Sequence, residues 1–143
     1  MINNGTNHRD RTMLAKNQRI TKQKEFDRFF GLNFKKRSGR SAAGVFLIVK
    51  ILKTDVSGCR FGFIVPNTVD KRSTVRNRIK RQMREIVRLK MNELRPGNDV
   101  LIIAKPGVKN KSYQEIKLEM LKLFKLVQLN NLPLIPSLPR RGK

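Results

Sequence analysis

The sequence predicts an α+β domain, with one small β-sheet and helices packed against it in a single two-layer sandwich. Three observations carry that expectation. Two long segments repeat apolar residues every three or four positions, as amphipathic helices do. Three short runs are rich in β-branched residues. The segments follow the order helix, hairpin, long helix, strand, helix, which sets helices against one sheet.

Taken along the chain, residues 1–15 are polar and aperiodic and read as a flexible basic arm. From Thr21 the pattern turns helical, with Phe26, Phe29 and Phe30 at spacings of three and four among Lys22, Lys24, Glu25, Asp27 and Arg28. The segment from Phe34 to Gly44, rich in Gly, Ser and cations, reads as a loop. Val45 to Leu52 and Cys59 to Val65 are strand-like and separated by the turn-forming Thr54 to Gly58, so an antiparallel hairpin is the economical pairing. Ser73 stands where it can cap the next helix, which runs to about Glu93 and stops before Pro96-Gly97. Val75, Ile79, Met83, Ile86, Val87 and Met91 form its single apolar stripe. Asp99 to Ala104 is a third strand, apolar enough to be central. Ser112 and Glu115 make a capping box for the last helix, whose inward residues are Ile116, Met120, Leu123, Phe124 and Val127. Residues 16–128 thus form one domain, and residues 129–143, with Pro133, Pro136 and Pro139, read as a disordered tail.

Charge narrows the partners. Thirty-three Lys and Arg face ten Asp and Glu in 143 residues, a net charge of +23. Repulsion on that scale calls for a polyanion, nucleic acid before anionic membrane. The apolar run at Val45 to Val49 is far short of the roughly 20 residues a bilayer needs. A single cysteine, Cys59, suits a reducing cytoplasm and, lying in a strand-like run, reads as a buried inert thiol. Catalysis by the protein itself is not expected. The one histidine, His8, sits in the polar arm, and no Cys or His cluster has metal-ligand spacing. Asp70, Glu85, Glu93 and Asp99 are dispersed among cations, where surface ion pairs are expected rather than an acid/base dyad. No catalytic residue and no metal site are therefore assigned.

The most informative stretch is Lys71 to Arg88. Lys71, Arg72, Arg76, Arg78, Lys80, Arg81, Arg84 and Arg88 stand there against the lone acid Glu85. On a helix, Asn77, Arg81, Arg84 and Arg88 fall along one flank while Val75, Ile79, Met83 and Ile86 turn inward. Arginine suits phosphate because its planar donors bond two oxygens at once. Basic amphipathic helices also occur as coiled-coil flanks, membrane-surface helices and DNA-recognition helices. Local word order is more specific.

The segment FGFIVPNTVDKRSTVRNRIKRQMREIVR resembles the signature of the bacterial ribonuclease P protein family, in which a V-G-F-S-V-S strand leads into V-x-R-N-R-x-K-R-x-x-R-E. Arg76, Asn77, Arg78, Lys80 and Arg81 supply the R-N-R-x-K-R core, followed by Arg84-Glu85. The likeness runs from about Leu14 to Val127. Gln18-Arg19-Ile20 and Lys22 to Phe30 match the family's opening, and Pro96 to Lys105 matches its P-G-x-D-I-V-V-I-A-R strand. Departures are Pro66-Asn67-Thr68 in place of S-K-K, a longer Gly31 to Gly44 segment, and Val49 where the second strand carries an aromatic.

The resemblance implies a fold similar to a ribosomal-protein domain and the role of a non-catalytic protein subunit of a ribonucleoprotein endoribonuclease. In that role the catalytic RNA, with bound Mg²⁺, removes the 5′ leader of precursor tRNA, and no protein partner is required. It implies that Arg72, Arg76, Asn77, Arg78, Lys80, Arg81 and Arg84 bind the catalytic RNA. Phe26 and Phe30 would bind the single-stranded leader, whereas periodicity alone favours core packing for them; Phe29 and Phe34 read as core. Two other classes stand beside this one. A structural ribosomal RNA-binding protein shares the charge and the α+β pattern but leaves the R-N-R word and paired aromatics unexplained. A DNA-binding regulator would need a short helix, not a strand, before the basic helix.

Overall fold

The computed structural model describes residues 18–31, 34, 39–54, 58–129. The expected arm (1–15) and most of the expected tail (130–143) lie outside them. The elements are α1 (Gln23–Asp27), β1 (Arg40–Ala43), β2 (Leu47–Lys53), β3 (Cys59–Ile64), α2 (Ser73–Lys90), β4 (Asn98–Ala104) and α3 (Tyr113–Leu126). The four strands form one sheet in the order β1-β2-β4-β3, antiparallel from β1 to β4 and parallel between β4 and β3.

This is the expected α+β fold, with β4 central as expected, but the hairpin is not formed. β2 and β3 each pair with β4, which lies between them. Around the intervening turn, Thr54 N donates to the carbonyl of Gly97 (2.9 Å) and Gly97 N to that of Gly58 (2.7 Å), so the β4 chain occupies the gap a hairpin would close. Burial explains the choice: six of the seven residues of β4 are buried, and only a central position shields both faces of such a strand. β2 begins at Leu47, later than expected, and Val45 before it is 79% exposed. Part of the expected loop, Arg40–Ala43, is an edge strand. Its Arg-Ser-Ala-Ala sequence has little β propensity, so its pairing to β2 and the bond from Arg40 Nε to the Val127 carbonyl (2.9 Å) decide its conformation.

α2 and α3 cover one face of the sheet. Ile79, Met83, Ile86 and Val87 of α2 and Ile116, Met120, Leu123 and Phe124 of α3 are buried against Leu47, Val49, Ile51, Phe61, Val100 and Ile102. The Ser112 and Glu115 capping box forms in full: Glu115 N donates to Ser112 Oγ (3.1 Å) and Ser112 N to Glu115 Oε1 (2.9 Å). Ser73 does not cap α2; it is the first helical residue, and Arg72 holds the cap position but makes no side-chain capping bond. Asp70, outside the helix, instead takes the cap residue's own backbone N–H, Arg72 N donating to Asp70 Oδ1 (2.8 Å). Cys59 is buried as expected, and burial pushes its thiol up to about 11.

The opposite face carries a smaller core. Ile20, Phe29, Leu52 and Leu101 are buried there, with Phe26, Phe34, Ile64 and Ile103 packed around them. α1 ends at Asp27, earlier than the aromatic spacing suggests, and the chain turns through Phe30 by bonds from Phe29 N to Phe26 O and from Phe30 N to Asp27 O (both 3.1 Å).

Candidate nucleic-acid interface

Strand alternation sets the site's layout. Register places Lys50, Leu101 and Gly62 in one row across β2, β4 and β3 on the face away from α2 and α3. Phe26 lies on Gly62 so closely that a Cβ there would stand 2.7 Å from the Phe26 ring and 3.3 Å from Leu101. A glycine inside a strand marks such an approach. At the other end of the row, the Lys50 ammonium is 4.4 Å from the centroid of Phe30, which is 45% exposed, and donates to the Phe29 carbonyl (3.1 Å). Lys50 and Gly62 stand on either side of β4, two strand spacings or roughly 10 Å apart. The structure thus brings Phe26 and Phe30 to one sheet face. Phe29 is buried and Phe34 half-buried, both in the core as expected.

β3 is the outer strand, and Ile20 N donates to the Phe61 carbonyl along it (2.9 Å). Beside that edge an open groove of about 440 Å³ is lined by Arg19, Phe26, Gly62, Phe63, Lys80 and Arg84. This volume is of the size class that holds one small ligand. The groove is crowded with positive charge. Burial, with the neighbouring Arg19 and Arg81 guanidiniums, pulls Arg84 below the ordinary arginine value. Arg19 Nε is buried and finds no hydrogen-bond partner among the described residues. Cations packed this way are relieved by an anion.

The seven residues expected to bind the catalytic RNA, Arg72 to Arg84, divide into three groups. Arg72 and Arg76 hold the helix entrance. Arg72 pairs with Asp70 through two hydrogen bonds of 3.0 Å, while Arg76 Nη1 donates to the Asp70 and Lys71 carbonyls (3.0 and 2.8 Å). The bonds from Arg72, with Lys109 3.2 Å from Oδ2, hold the Asp70 carboxyl well below the usual carboxylate range. Asn77, Arg78 and Arg81 are exposed on the outer flank. Lys80 and Arg84 turn to the groove and join Phe26. Arg81 and Arg84, expected on one flank, are neighbours on it, and Arg84 also lines the groove.

The acids are not all in surface pairs. Lys90 and Glu93 do make one (3.7 Å). Asp99, however, is fully buried, where Arg60 grips it through Nε (2.9 Å) and Nη2 (2.7 Å) and Arg28 also bonds it. Arg60 reaches on to Glu25 (2.9 Å). Sequence reasoning missed this network because Arg60 and Asp99 become neighbours only through the parallel β3–β4 register. Arg19 and Lys50 were missed too. Gly62 was missed as well, although a glycine between Phe61 and Phe63 in a strand is a signal of close approach that points to it. The strand-two position read as an aromatic's replacement, Val49, faces the helices and is fully buried; Lys50 is the residue on the aromatic face.

Known proteins resemble the chain over this same span. A family model described as Ribonuclease P matches residues 14–128. A ribonuclease P protein component from Alkaliphilus metalliredigens is 31% identical over 116 residues, covering 81% of this chain and 98% of the relative. Another, from Lachnoclostridium phytofermentans, is 37% identical over 90 residues, covering 63% and 77%. The RNase P protein of Staphylococcus aureus superposes with a TM-score of 0.69 at 24% identity, over 78% of this chain and 96% of that one, and so shares its fold.

Proposed function

The chain belongs to the ribonuclease P protein family, and we propose that as the protein subunit it divides its two basic surfaces between two RNAs. The outer flank of α2, with Asn77, Arg78 and Arg81, docks on the catalytic RNA, and Arg72 and Arg76 at the helix entrance extend that interface. Arg72 can exchange the Asp70 carboxylate for a phosphate, because its side chain is 69% exposed. Lys80 and Arg84 serve the groove instead. With Arg19 they attract the backbone of the single-stranded 5′ leader of precursor tRNA, while Phe26 and Phe30 offer rings on which bases stack. One observation carries this reading: an aromatic ring seated on a strand glycine within a groove walled by cations.

In this role the protein performs no bond chemistry. It offsets phosphate repulsion between two RNAs and holds the leader. Mg²⁺ belongs to the RNA subunit, which carries the hydrolysis. Among the described residues no three His, Cys, Asp or Glu gather, and Asp70, Asp99 and Glu25 are engaged by arginines. No helix among them is long and apolar enough to cross a membrane, and we place the assembly in the cytoplasm. A structural ribosomal RNA-binding role has no comparable use for the groove.

Reconstitution tests the reading. The full chain, mixed with a bacterial ribonuclease P RNA and a 5′-extended precursor tRNA, should promote leader removal at lower Mg²⁺ than the RNA alone requires. Metal-dependent cleavage by RNA-free protein would contradict it.

A further inference from the structure

α1 cannot hold Phe26 in place by itself. It has five residues, none of them buried, and no side-chain cap, whereas isolated helices shorter than about 12–15 residues are marginal in water. Its anchors flank Phe26 in sequence. Glu25 bonds Arg60 (2.9 Å), and Arg28, one residue past the helix, bonds Asp99. Both lead to the fully buried Asp99, paired in register with Arg60 across β4 and β3. That rung is two residues along the strands from the Leu101–Gly62 rung on which Phe26 rests.

A buried carboxylate is a poor way to gain stability, since apolar residues of similar volume often serve as well or better. It does supply direction. Two arginines converge on one fixed point, one from the sheet and one from the C-terminal cap of α1, and Glu25 closes the circuit. Burial alone would raise the Glu25 carboxyl, yet the Arg60 bond and charge leave it lowered.

We propose that Asp99 is a positioning residue for leader binding: through Arg28 and Arg60 it fixes α1 at the height that seats Phe26 on Gly62, in the groove that Arg19 and Lys80 also line. This rests on the leader reading of the groove, so the test separates the two. Asp99→Asn and Arg28→Gln are made in the full chain, assembled with ribonuclease P RNA, and titrated with precursor and mature tRNA. The same changes are made in a Phe26→Trp background, where the chain's only tryptophan reports the ring's surroundings without any RNA.

Both changes should weaken precursor binding by roughly 5–30-fold, leave mature tRNA binding in place, and shift the tryptophan emission to the red. Arg28→Gln, at a side chain 26% exposed, keeps the test available if Asp99→Asn fails to fold. If Phe26→Ala lowers precursor selectivity while Arg28→Gln changes neither selectivity nor emission, the positioning role is overturned and the leader reading survives. If Phe26→Ala leaves selectivity intact, the leader reading fails; emission then decides whether the network positions Phe26, and an unchanged spectrum overturns that as well.

Discussion

The two faces of the sheet are built on different terms. On one, α2 and α3 close a continuous apolar core through Met83, Ile86, Met120, Leu123 and Phe124. On the other, four buried residues, a five-residue helix and a set of ion pairs leave a cation-lined groove and a half-exposed phenylalanine. Apolar burial is non-directional and scales with area, so the first face supplies stability. Hydrogen-bonded charge specifies geometry at little net gain, so the second supplies placement. Removing a side chain should therefore read out as unfolding on the first face and as altered recognition on the second.

The largest effect is expected inside the helical core. Phe124→Ala should cost about 3–5 kcal/mol of folding stability, seen as a large drop in melting temperature. Precursor and mature tRNA binding should then fall together. Gly62→Ala puts a methyl carbon 2.7 Å from the Phe26 ring. It should cost about 1–3 kcal/mol in strain and lower precursor binding selectively, as tRNA titrations beside thermal melts would register. An equal drop for mature tRNA would erase the contrast between faces.

Smaller effects sharpen the division within α2. Neutralising Arg78 and Arg81 together should flatten the salt dependence of catalytic-RNA binding by roughly 0.7–0.9 log units for each phosphate no longer neutralised. Leader affinity in the assembled enzyme should barely change. Neutralising Lys80 and Arg84 should do the reverse. The smallest effect is a pH dependence. The Glu25 carboxyl is lowered from 4.5 in the folded chain, with Arg60 overcoming the effect of burial. Its contribution is then present above the unfolded value and lost as pH falls through the folded one. Glu25→Gln should therefore lower stability by roughly 0.2–1 kcal/mol near neutrality, and its melting curve should converge with the parent's as pH drops below about 4. Parallel curves would remove Glu25 from the network.

Legibility in the sequence followed how local each determinant was. The α3 capping box and the stripes of α2 and α3 are set by neighbours three or four residues apart, and they appear where expected. The hairpin failed because pairing β2 with β3 is locally reasonable, while β4 takes the gap by burying both its faces, a preference no local pattern records. The site divides the same way. The R-N-R helix and its exposed flank were readable from the basic run. The groove was not, since Arg19, Phe26, Gly62, Lys80 and Arg84 come from three separate segments that only the folded sheet edge gathers.

The central claim is that the α1 face of the sheet reads the leader and the helical core does not. Phe26→Ala in the assembled enzyme tests it most directly, with precursor and mature tRNA titrated side by side and the melting temperature measured on the same protein. The division of faces predicts a decrease of roughly 1–3 kcal/mol in precursor affinity, unchanged mature tRNA affinity, and a fold that stays largely intact. A destabilised protein whose precursor and mature tRNA affinities decline in parallel would make Phe26 a core residue and contradict the claim.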